Sequence, residues 1–347
     1  MNQTGLPHLI SDSDNADRWS IKRNRIRKEW LAYIGGIPER VPAQVQILSE
    51  TALHDHTRVH LAYNTVFQDK VTAYLLIPDR RSYPSDHKFP AVIALHSTHA
   101  LGKDGIALKE KALANRQYAL ELVARGYVVL APDALTAGER IMDSGPAFDS
   151  HRFYEQHPEW STVAKNICDH RQGVDVLCSL PCVDAEAIGA IGHSFGAYNA
   201  YFLAGMDERV KAIVASCGIS TFTGDPHPEH WGARSFPYTH LPKFTADLQQ
   251  DRVPFEFNEI MALCAPTPFF VYAGQQDTIF PHWKEIGDAV LDLARFYQWL
   301  GYEGRFAGLI GSDGHDFPPR IRSLAYQFLD EWLKGADSRN QGGDAGL

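Results

Sequence analysis

Apolar positions along the 347-residue chain change their spacing several times, and each change marks an element. Over 17–34, DRWSIKRNRIRKEWLAYI, the residues Trp19, Ile26, Trp30 and Ile34 fall near one side at helical spacing, which predicts an amphipathic helix. Three strand-like runs follow: VQIL (45–48), RVHLAYNTVF (58–67) and KVTAYLLIP (70–78). They are close together, which predicts antiparallel pairs. From residue 91 the rhythm differs. AVIALH (91–96) and VVLAP (128–132) are unbroken apolar runs, and between them ALELVARGY carries helix spacing and a stop at Gly126. A long helix fits WSTVAKNICDHRQGVDVLCSL, with Val163, Ile167, Val174 and Leu177 on one side. AIGAIG (187–192), VKAIVASCG (210–218), PFFVYAG (268–274) and RFAGLIG (305–311) read as further strands, with helices after 194, at 281–300 and at 318–334.

Unbroken apolar strands alternating with helices predict an α/β protein whose parallel sheet is covered on both faces. The early hairpins supply its antiparallel edge. Residues 219–262 interrupt the alternation with aromatics, prolines and histidines, so they read as an insertion lying like a lid over one end of the sheet. The expected organisation is a helical extension over 1–44, one domain over 45–334 and a disordered tail over 335–347.

Charge narrows the partners. A formal net charge of −9 repels phosphate backbones, which argues against a nucleic-acid binder. No apolar run approaches the length that spans a bilayer. The segment MNQTGLPHLISDSDNADRW lacks a basic-then-apolar signal, which gives a cytoplasmic expectation. Nothing in the pattern argues against a homo-oligomer. The basic cluster at 22–28 reads as the solvated face of a docking helix. The five cysteines, Cys168, Cys178, Cys182, Cys217 and Cys264, lie mostly in apolar segments and read as reduced thiols.

The chemistry gathers around IGAIGHSFGAYNA (188–200), where Gly192 and Gly196 flank Ser194 between a strand and a helix. A tight strand-to-helix turn leaves little room for side chains, so glycines relieve the crowding and the hydroxyl projects above the sheet. Serine needs an adjacent base, and ligands on such sheets sit beyond the carboxyl ends of the strands. VYAGQQDTIFP places Asp277 past one strand end, and LIGSDGHDFPP places His315 past the next. The order Ser194, Asp277, His315 is the order this architecture uses for a triad. Glu139 and Asp313 are rival acids, and Asp316 reads as the N-cap of the last helix. An oxyanion formed at Ser194 needs two donors. The Phe195 amide supplies one, and Ser97 or Thr98, in the loop after the first parallel strand, supplies the other. In the insertion, Trp231, Phe236 and Tyr238 are candidates for a stacking wall and Arg234 for a hydrogen bond to substrate; packing of the lid on the body is the alternative for the aromatics. The pairs His96/His99 and His227/His230 lack a third ligand at ordinary spacing, so no metal is expected.

These residues resemble the α/β-hydrolase superfamily over about 45–334. HPEWSTVAKNICDHRQGVDVLCSLPCVDAEAIGAIGHSFGAYNA, APDALTAGER and ALCAPTPFFVYAGQQD are further similar to bacterial esterases of the dienelactone-hydrolase-like and acetyl-xylan-esterase-like group. True dienelactone hydrolases use a cysteine nucleophile where this chain has Ser194. The resemblance implies cofactor-free hydrolysis of carboxylic esters of small molecules or saccharides, acetylated sugars among them. A serine peptidase or amidase of the same fold and a non-catalytic binding member are the rival readings.

Overall fold

The unbroken apolar runs become the middle of a nine-stranded sheet. The computed structural model describes residues 6–11, 15–142, 145–233 and 237–335. The strands are β1 (Gln46–Ala52), β2 (His56–Asn64), β3 (Lys70–Pro78), β4 (Phe89–Leu95), β5 (Val128–Pro132), β6 (Val183–His193), β7 (Val210–Ser216), β8 (Phe269–Gly274) and β9 (Phe306–Gly311). Their order is β1-β2-β3-β5-β4-β6-β7-β8-β9. The pairs β1–β2, β2–β3 and β3–β5 are antiparallel, and from β5 to β9 every pair is parallel. The helices are α1 (Ala16–Ile34), α2 (Asp104–Ala107), α3 (Tyr118–Ala124), α4 (His151–Gln156), α5 (Thr162–Ser179), α6 (Phe195–Ala204), α7 (Phe244–Gln249), α8 (Phe257–Ala262), α9 (Trp283–Trp299) and α10 (Pro319–Leu333).

Side chains alternate across a strand, and β4 shows what that does here. Ala91, Ile93 and Leu95 join the core beneath α5, α6 and α9, whereas Val92 and Ala94 join the core beneath α3 and α10. Both faces are therefore dry, which is why these strands read as continuous apolar runs. The helix α1 packs outside the first layer, with Trp19 against Phe296 of α9 and Trp30 against Phe202 of α6. Asn15 caps it by accepting from the Arg18 amide at 2.9 Å. Among the described residues, no helix is long and apolar enough to cross a membrane.

Three local expectations need correction. The run 58–67 leaves the sheet at Asn64, because residues 66–68 form a 3-10 turn with Phe67 at φ 64°. The run 45–48 belongs to a longer strand, β1, which reaches Ala52; all seven of its residues are exposed, so no alternation marks its extent. Asp316 does not cap α10, whose N-cap is Pro318. Its carboxylate instead accepts from Arg116 and Asn115, both at 2.7 Å.

Candidate active site

The turn between β6 and α6 is built by close approach. A Cβ on Gly196 would lie 2.0 Å from the Leu95 carbonyl oxygen, and one on Gly192 would lie 2.2 Å from the Gly196 backbone. Both distances forbid any side chain, so β4, β6 and α6 meet only because these positions are glycine. Ser194, at the N-cap of α6, is held at φ 56° and ψ −118°. That conformation costs about 1–3 kcal/mol in a non-glycine residue and lifts the hydroxyl off the end of the sheet. The Ser194 amide donates to the Ser216 carbonyl at 2.8 Å, tying the turn to the end of β7.

Asp277 follows β8 and His315 follows β9. His315 Nδ1 lies 2.7 Å from Asp277 Oδ2, and His315 Nε2 lies 2.8 Å from Ser194 Oγ. A carboxylate only accepts, so Nδ1 carries the imidazole proton and Nε2 is left to accept from the serine hydroxyl. Asp277 is 3 % exposed, and its other oxygen accepts from the amides of Ile279 and Phe280 at 2.8 and 3.0 Å. Burial works to raise its carboxyl, but the hydrogen bond and charge of His315, with those two amides, outweigh burial and hold it below the usual carboxylate range. The rival acids are engaged elsewhere. Glu139 accepts from Lys103 at 2.5 Å, and Asp313 accepts from Tyr272 and Arg320.

Two neighbouring loops are fixed by groups that local pattern did not reveal. Arg116 donates to the His315 carbonyl at 3.3 Å and to Asp316, bracing the histidine loop from outside. The loop carrying Ser97 and Thr98 is held by His96, whose Nδ1 meets the Ser97 carbonyl at 2.8 Å while Nε2 accepts from the Ala134 amide at 3.0 Å. Fully buried Asp133 accepts from the Lys103 amide and ammonium at 2.9 and 2.7 Å, anchoring the far end of that loop.

Ser194 lies between two spaces. One is a cavity of about 90 Å³ beneath the 219–262 segment, walled by Phe148, Phe195, Tyr198, Trp231, Tyr238 and Phe280. The other is an open cleft of about 540 Å³, lined by Ser97, His99, Arg116, His193 and His315 among others. Thr98 borders both. Trp231 packs on Phe257 and Tyr198, with ring centroids at 4.4 and 5.0 Å, and Tyr238 accepts from Asn166 at 3.0 Å. These two aromatics therefore both pack the 219–262 segment on the body and face the cavity. Arg234 and Phe236 lie outside the described residues. Phe195 and Tyr198 stand three positions apart on α6, a spacing that puts both on one helix face. Phe148 and Phe280 come from loops, where no periodicity marks them.

Among the described residues, one group of three possible metal-ligand atoms gathers within 4.8 Å: Cys217, Asp277 and His315. Two of the three belong to the serine hydrogen-bond chain. Burial, then the Asp277 charge, pushes the Cys217 thiol up to about 12, so it stays protonated and donates to the Asp316 carbonyl at 3.3 Å. His96, as above, uses both ring nitrogens within the fold, and His99 Nδ1 accepts from the Leu101 amide at 3.1 Å. His227 lies against Glu229 at 3.3 Å.

Solved structures share this architecture. A glucuronoyl esterase from Solibacter usitatus superposes with a TM-score of 0.69 at 18% identity, covering 94% of this chain and 97% of the other. A Bacteroides fragilis protein provisionally named an acetyl xylan esterase gives 0.63 at 17%, covering 88% and 79%. By sequence, the provisionally named hydrolase YtaP of Bacillus subtilis (strain 168) is 25% identical over 317 residues, 88% of this chain and 98% of its own length. The model of the dienelactone hydrolase family matches residues 71–284, a span that takes in β4 to β8 and both Ser194 and Asp277. The chain is thus a hydrolase of the dienelactone hydrolase family, on the α/β-hydrolase fold.

Proposed function

We propose that the protein hydrolyses carboxylic esters through an acyl-enzyme on Ser194, with His315 as base and Asp277 as its orienting acid. The observation that carries this reading is the unbroken chain from Ser194 Oγ through His315 to Asp277, with spans of 2.8 and 2.7 Å. Ser194 Oγ attacks the ester carbonyl carbon while its proton passes to His315 Nε2. The tetrahedral intermediate then collapses: the bond to the alcohol oxygen breaks, and His315 returns the proton to that oxygen. Water attacks the acyl carbon in the second half, giving its proton to His315. The serine ester bond breaks, Ser194 takes the proton back, and the acid leaves. Asp277 keeps the Nδ1–H tautomer and stabilises the imidazolium in each half.

The oxyanion is assigned to the Phe195 amide and to a donor from Ser97–Thr98. Phe195 opens α6, so its N–H has no partner one turn back in the helix and lies at the positive end of the helix dipole. Thr98 borders both spaces beside Ser194, which favours it over Ser97. Each such donor is worth about 3 kcal/mol in the transition state. The substrates we propose are acyl esters of small alcohols or saccharides. This rests on the open cleft beside the serine and on a structural neighbour named for cleavage of acetyl groups from a saccharide, acetyl xylan esterase. A fluorophosphonate should label the protein once, and Ser194→Ala should abolish both labelling and hydrolysis of p-nitrophenyl acetate. Undiminished ester turnover by that variant overturns the reading, and faster cleavage of aminoacyl anilides than of acetyl esters by the parent would make the enzyme an amidase.

A further inference from the structure

Resting on the ester-hydrolase reading, we propose that the small aromatic-walled cavity is the acyl site, sized for two to four carbons, and that the alcohol occupies the larger cleft. The direction follows from proton transfer. The leaving oxygen must be within reach of the group that protonates it. His315 lines the cleft and is not among the residues lining the cavity. The alcohol therefore leaves on the cleft side, and the acyl chain, fixed across Ser194 by the oxyanion donors, points into the cavity.

The size limit follows from volume and from the stiffness of the walls. The cavity holds about 90 Å³. A cavity known to take benzene is about 150 Å³. A two- to four-carbon chain fits, and an octanoyl chain or a six-membered ring does not. The walls do not swing aside cheaply. Phe148, Trp231 and Tyr238 are 2, 3 and 1 % exposed. Trp231 is pinned between Tyr198 and Phe257, and Tyr238 is held by Asn166 and lies 5.5 Å from Phe148 between ring centroids. The cleft is about six times larger and more open, so it restricts the alcohol far less.

The test uses the full chain and p-nitrophenyl acetate, butyrate and octanoate, which share one leaving group. Acetate and butyrate should give kcat/KM values within about tenfold of each other, and octanoate should fall roughly 100-fold or more below them, the scale on which a pocket rejects surplus methylenes. Phe148→Ala and Trp231→Ala, two independent enlargements, should each raise octanoate relative to acetate by about tenfold. Melting temperatures identify which variant has kept its fold. A parent that is indifferent to chain length, or prefers octanoate, overturns the proposal. So do folded variants that leave the ratio unchanged, and so does a parent that is labelled by fluorophosphonate but turns over none of the three. A parent neither labelled nor active overturns the underlying ester-hydrolase reading instead.

Discussion

Asp277 makes two kinds of contact, one to His315 and two to backbone amides, and they separate its proposed chemical role from its structural one. Asp277→Asn keeps the shape but can present an N–H to His315 Nδ1, which favours the wrong tautomer. Turnover should fall by about 10⁴-fold with little change in KM. Glu139→Gln, at the rival acid bonded to Lys103, should leave turnover within a few-fold, as steady-state kinetics on the two variants will show. Ser194, Asp277 and His315, which the fold brings into one hydrogen-bonded chain, stand out in the sequence because each sits directly beyond an apolar run. Arg116, Asp133 and Phe148 do not stand out. Their importance comes from segments that meet only after folding, and nothing in their local spacing records the meeting. The Asp316 misreading has the same root: as a local pattern it looks like a cap, but Arg116 and Asn115, 200 and 201 positions away in sequence, claim the carboxylate.

At the level of elements, the α1 helix shows how a peripheral piece supports the site. Trp30 is fully buried, with its ring 5.2 Å from Phe202 on α6, the helix that Ser194 opens, and 5.0 Å from Phe255. Trp30→Ala removes a large side chain from a packed site and should cost about 3–5 kcal/mol. Urea denaturation should register that loss, while kcat per folded molecule stays near the parent's, because no reacting group is touched. The helix was legible: Trp19, Ile26, Trp30 and Ile34 are all buried, as their spacing implied. So were the central strands, whose burial on both faces gave unbroken apolar runs. The short helices α2, α4 and α7 were not, since four to six residues hold too few turns for periodicity to show.

For the molecule as a whole, buried imidazoles set the acid limit. Burial, as the largest cause, pushes His170 down to about 3, and among the described residues neither of its ring nitrogens has a hydrogen-bond partner. Burial also lowers His96 and drives His193 well below its ordinary range. An unfolded histidine titrates near 6.5, so below that pH the unfolded chain binds protons that the folded chain refuses. Stability is complete above about pH 6.5 and falls as the pH drops toward the folded values, by up to about 1.4 kcal/mol per pH unit for each such histidine. Carboxylates held low, Asp277 and Asp330 among them, add their loss only at lower pH, as it falls through their depressed folded values. Denaturant midpoints should therefore decline between pH 7 and pH 5, and a flat profile there contradicts the account. The segment between β7 and β8 has a consequence of another kind. Asp225, Trp231, Tyr238 and His240 reach the cavity on one continuous stretch between β7 and β8, whereas Ser194, Asp277 and His315 stand on the strand ends beneath it. On the proposed reading, exchanging that one stretch would rebuild part of the cavity wall and leave the three strand-end residues in place.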